Sequence, residues 1–134
     1  MAANILDVGN VKNLDGARRD VITIGATAVT FGMICKITSG LLVVISASDV
    51  PTATRMFVSL ANADASATKS LYCPFEDVVL SVSYSGGTPT VGVSYALSTG
   101  TNIDVTNTTN KAFLVTSVDT DKQIAWGISH LLSA

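Results

Sequence analysis

From Val21 onward the chain is a succession of short runs in which apolar and polar residues alternate, each run ended by Gly, Pro, Asn, Asp or Ser. This period of two constrains the fold more than any other feature, because residues two apart share one face of a strand. No stripe at helical spacing lasts three turns. The runs cover residues 21–24, 30–38, 41–46, 55–60, 76–84, 91–97, 103–105, 113–118 and 123–132, nine runs that predict about eight short strands, 103–105 being the shortest.

Individual runs carry their own detail. In 30–38, Phe31, Met33, Cys35 and Ile37 share one face; Ser39-Gly40 then predicts a tight hairpin into 41–46. Residues 55–60 align Met56, Val58 and Leu60, and 61–68 read as a loop. The clearest strand, 76–84, aligns Val78, Leu80, Val82 and Tyr84. In 91–97 the aligned set is Val91, Val93, Tyr95 and Leu97. The last run places Ile124, Trp126, Ile128, His130 and Leu132 on one face, with Trp126 expected in the core.

Strands at this spacing predict an all-β domain over 21–134, a sandwich or barrel of mostly antiparallel strands. No repeat at a fixed period is visible, which argues against a propeller or solenoid. Residues 1–20 differ in texture. They hold Asp7, Lys12, Asp15, Arg18, Arg19 and Asp20 with sparse apolar residues, and read as an extended N-terminal arm or a loose terminus.

At 134 residues the chain is long enough for folding to remove about two-thirds of its extended accessible area. A core can therefore form without metal or disulfide staples. Only 13% of residues are charged against 48% hydrophobic, so the surface is poor in charge and part of it is expected to be covered by a partner. The net charge of −2 and scattered basic residues give no footprint for nucleic acid. The longest apolar stretch, 40–47, is too short to span a bilayer, and the N-terminus lacks the pattern of a secretory signal. A soluble chain without a membrane partner is expected. Cys35 and Cys73 are too few for a disulfide framework and read as buried thiols.

Catalytic and metal chemistry finds little support. His130 is the sole histidine, no serine lies in a nucleophile elbow, and one histidine with two distant cysteines makes no zinc site. His130 reads as a half-buried structural residue. Asp104, Asp119 and Asp121 lack the spacing of a calcium loop and read as turn residues. Glu76 and Asp77, adjacent on a strand, would face opposite sides. Ser85-Gly86-Gly87 lacks the Lys-Ser or Lys-Thr of a phosphate loop, and Asn107-Thr108-Thr109 reads as a turn rather than a glycosylation site. Tyr72, Tyr84, Tyr95 and Trp126 could line a carbohydrate platform, but alternate strand positions favour the core. No enzyme and no cofactor are expected.

Three segments carry a likeness to a known family: Thr30 to Ser39 (TFGMICKITS), Leu60 to Ala65 (LANADA) and Thr90 to Gly100 (TVGVSYALSTG). With these, residues 21–132 resemble the small decoration, or cement, proteins of tailed bacteriophages. The resemblance implies a β-rich structural protein made in the host cytoplasm that binds the major capsid protein on the outside of an assembled virion. It also implies a homo-oligomer, commonly a trimer. On that reading Arg18 and Arg19 are the candidate capsid-contact residues, meeting an acidic groove as the arm orders. The competing reading is a ligand- or carbohydrate-binding β-module, such as a fibre or receptor-binding domain.

Overall fold

The computed structural model describes residues 10–12 and 14–130. The protein is all-β. Its strands are β1 (Val11–Lys12), β2 (Asp20–Ile24), β3 (Ile34–Thr38), β4 (Leu41–Val44), β5 (Met56–Ser59), β6 (Ser70–Pro74), β7 (Val79–Ser85), β8 (Ser94–Thr99), β9 (Asn102–Asp104), β10 (Phe113–Asp119) and β11 (Ile124–Ser129). Single 3₁₀ turns at Leu14–Gly16 and Phe75–Asp77 precede β2 and β7. The β3–β4 hairpin closes through Ser39 (φ 53°) and Gly40 (φ 78°), the two positive φ values that a two-residue turn matched to strand twist requires.

The strands form two sheets. β2, β4, β3, β5 and β6 close into a barrel, while β7, β11, β10, β8 and β9 form a second sheet with β1 added on β7. β9 also pairs with β7, so the second sheet returns on itself. The pairings of the two sheets are the same. β2–β4 and β7–β9 are parallel; β3–β4 and β8–β9, β3–β5 and β8–β10, β5–β6 and β10–β11, and β2–β6 and β7–β11 are antiparallel.

The registers agree away from two bulges, near Val115–Ser117 and Leu97–Thr99, that the second unit alone carries. Ile34 faces Val58 as Ser94 faces Leu114, Cys35 faces Phe57 as Tyr95 faces Phe113, and Ser59 faces Tyr72 as Val115 faces Gly127. Even the turn before β3 and β8, the second strand of each unit, recurs. Met33 N–H donates to Thr30 O and Val93 N–H to Thr90 O, both at 3.2 Å, beside Gly32 (φ 81°) and Gly92 (φ 90°). The protein is thus a tandem pair of equivalent five-stranded units, a repeat that sequence reading did not find. Its period is not fixed, chiefly because the β4–β5 connection runs over residues 45–55 while its counterpart occupies only residues 105–112.

Two cores result. Ile24, Val29, Cys35 and Leu42 fill the first barrel, with Phe57 and Tyr72 against them. A larger core joins one outer face of the barrel (Ile34, Met56, Val58, Cys73) to the inner face of the second sheet (Leu80, Val82, Leu97, Phe113, Val115). Strand β3 therefore buries both faces, as a strand inside two layers must. Phe75, fully buried in the link between units, stacks on Phe113 with ring centroids 6.0 Å apart. Burial of such a side chain contributes about 1.5–3 kcal/mol.

Several expectations meet corrections here. Strand β6 had no counterpart in the sequence reading. Residues 30–33 form a turn rather than the start of a strand, because Gly32 is left-handed. Glu76 and Asp77 lie in a 3₁₀ turn after Pro74, not on a strand, and reach the same side. In β11 the inward face is Ala125, Gly127 and Ser129, whereas Ile124, Trp126 and Ile128 are half-buried on the outer face. The Phe113 ring occupies the space that a Cβ on Gly127 would need, so only small residues fit inward there. Trp126 is not a core residue; Lys12 Nζ lies 4.1 Å from its ring centroid. Leu132 and Asp7 lie outside the described residues. Of the segment read as an arm, residues 1–9 and Asn13 also lie outside them, while Val11, Leu14 and Ala17 are buried in the larger core.

Candidate interaction surfaces

Arg18 and Arg19 flank the open end of the first barrel, and their situations differ. Arg18 donates from Nε to Asp77 Oδ2 at 2.9 Å and from Nη2 to Asp77 Oδ1 at 3.0 Å, and its backbone N–H reaches Oδ2 at 2.9 Å. Glu76 Oε1 lies 3.6 Å from Arg18 Nη2 and accepts from Arg55 Nη2 at 2.9 Å. The hydrogen bond from Arg18 holds the Asp77 carboxyl below the usual range, against the effect of partial burial. Arg18 thus clips the chain before β2 onto the link between the units. Arg19 is exposed and makes no ion pair among the described residues.

Behind these arginines lies a cavity of about 260 Å³ at the barrel end, floored by Phe57, Tyr72 and Pro74. Phe57 and Tyr72 meet edge to face at 5.4 Å, and Arg55 lies 5.4 Å from the Phe57 centroid. Sequence reading missed Arg55 and Phe57, because the barrel end collects residues from β2, β5 and β6 that lie far apart along the chain.

A second groove, of about 640 Å³, lies on the second unit beside Gly92, Ser94, Lys111, Leu114 and His130. His130 is half-buried, as expected, and its Nδ1 lies 2.9 Å from Ser94 Oγ. Leu114, Trp126 and Ile128 make the adjoining outer face half-buried and apolar.

The remaining candidates have structural employment. Asp119 accepts the N–H groups of Asp121 and Lys122, Asp104 accepts from Thr106, and Asn107 Oδ1 accepts from Thr109 and Asn110, so each sets a turn. No group of three His, Cys, Asp or Glu side chains that could hold a metal occurs among the described residues. Cys35 and Cys73 are free and buried, and burial pushes both thiols up to about 12. Tyr95 is buried and accepts from the Thr90 N–H; Tyr84 is half-buried against the larger core. No tyrosine makes a ring contact with Trp126 among the described residues. No described helix is long and apolar enough to cross a membrane. Comparison with known proteins gives no match: no family model, no curated protein and no solved structure aligns with this chain.

Proposed function

We propose that this protein is a structural virion protein that binds the outside of an assembled phage capsid and stabilises it, acting through its surfaces rather than through catalysis. The observation that carries the reading is a surface poor in charge, with only 13% of residues charged, that leaves the large apolar side chain of Trp126 half-buried on the outer face of the second unit. The major capsid protein is the partner and a homotrimer is the favoured assembly. Arg19 is the better placed of the two candidate contacts, since Arg18 is engaged by Asp77.

Co-sedimentation with empty phage capsids tests this. Saturation at a symmetry-related stoichiometry, with a raised capsid melting temperature, is expected; failure to sediment with capsids contradicts it. A chain beginning at Asn10 tests the arm and should bind more weakly. A chain beginning at Val21 cannot serve, because it lacks the core residues Val11, Leu14 and Ala17. One observation favours the ligand-binding alternative: the open barrel end, with Arg55 over Phe57 beside Tyr72. Glycan-array binding that is lost in Tyr72→Ala while capsid binding is absent would select it.

A further inference from the structure

The tandem relation between the units allows each surface of one to be compared with the same surface of the other. Inside the chain, the first unit presents an outer face to the larger core. Phe31 packs against that core, Val58 and Cys73 are fully buried in it, and Ile34 N–H donates to Gly100 O at 2.8 Å in the β8–β9 hairpin. The second unit receives this face at one end, where Leu97 is fully buried and Ser81 N–H donates to Asn10 O at 2.9 Å.

Register assigns each of these residues a counterpart on a surface left open. On the second unit the counterparts of Phe31, Val58 and Cys73 are Val91, Leu114 and Ile128; Val91 is 58% exposed and the other two are half-buried. On the first unit the counterparts of Leu97, Gly100 and Ser81 are Ile37, Ser39 and Val21. Ile37 is 37% exposed, Val21 48% exposed, and Ser39 is exposed as well. The Val21 N–H, lacking the strand that β1 supplies to Ser81, is satisfied by its own neighbour Asp20 Oδ1 at 2.8 Å. Val21, Ile37 and Val91 are the large hydrophobic residues most exposed among those described. All three occupy positions whose counterparts lie in the shared core or bond across to β1.

We propose that copies of this chain associate head to tail: the Val91–Leu114–Ile128 face of one copy seats on the Val21–Ile37–Ser39 end of another, repeating between chains the contact made once within each chain. The occupant of each open surface is a second copy, because each surface is the counterpart of a face already covered by the other unit. Such a contact is heterologous, so it propagates until a ring closes. The inference rests on the internal repeat and not on capsid binding.

The test is the mass of the full chain by sedimentation equilibrium, with no capsid present. Wild type is expected at a multiple of the monomer mass, and Ile37→Asp and Leu114→Asp each at the monomer mass. An equimolar mixture of the two variants retains one intact head and one intact tail, and is expected to double in mass to a dimer. A wild type that remains monomeric overturns the proposal. So does a mixture that stays monomeric, which marks a two-fold contact, or variants that keep the wild-type mass. If either variant fails to fold by circular dichroism, Val21→Asp and Val91→Asp, at the most exposed positions of the two surfaces, replace the pair with the same expectations. Capsid binding can fail while these masses hold, and the reverse, so the two readings are separable.

Discussion

The first barrel and the second sheet share every strand pairing and fill their interiors differently. At matched positions the barrel has Cys35 where the second unit has Tyr95, and Tyr72 where it has Gly127, while Phe57 and Phe113 coincide. Large and small residues have exchanged places across the ring. Topology is thus held by pairing and by the left-handed turns at Gly32 and Gly92, whereas filling is settled by volume compensation within each unit. The units differ again at their boundaries, since the second is sealed at one end by Phe75 and the β1 segment and the first is open there.

The largest effect is expected at the seal. Phe75→Ala should cost about 3–5 kcal/mol in urea unfolding, because it empties the link that both units share. Next come the matched glycines. Gly92→Ala should cost about 1–2 kcal/mol, the strain of a left-handed φ in otherwise open space. Gly32→Ala should cost more, because a Cβ there collides with the Asn10 side chain that ties β1 to Ser81 and Gly32. Equal costs at the two glycines would show that β1 contributes nothing to the junction. Trp126→Ala, on the outer face, should cost about 1 kcal/mol, mostly through loss of the Lys12 contact.

The smallest effect expected is electrostatic. Asp77 is held below its ordinary value by Arg18, so the stability it adds is present above the unfolded carboxylate pKa of about 3.9 and is lost as pH falls through the lower folded value. Asp77→Asn should therefore lower the melting temperature at neutral pH, with the gap to wild type closing below about pH 4. The exposure of Arg18 keeps the effect small. A gap that persists into acid would assign the role of Asp77 to something other than its charge.

Much of the architecture was legible where local chemistry decides it. The Ser39-Gly40 hairpin, the alternation in β5 and β7, and the buried thiols all follow from residue types that fix their own backbone or burial. The phase of β11 was not legible, because Trp126 and Ile128 outrank Ala125 and Gly127 in hydrophobicity, yet Phe113 leaves no inward room. Nor was the duplication. Thr30 to Ser39 and Thr90 to Gly100, two of the segments that carry the phage resemblance, are the same element of two units. They share Thr and Gly at the turn and little else. The candidate contacts split likewise: the Arg18-Arg19 pair is visible in sequence, but the carboxylates that engage Arg18 come from a 3₁₀ turn that alternation misread as strand.

The Phe75 junction and the core around it join two equivalent units, which should therefore unfold together. The chain carries its own probes for this. Cys35 and Cys73 both lie in the first barrel, and the only tryptophan, Trp126, lies in the second sheet. Urea unfolding followed by thiol labelling and by tryptophan fluorescence should give coincident transitions. A thiol transition separated from the fluorescence transition would show two independent units and contradict the shared core.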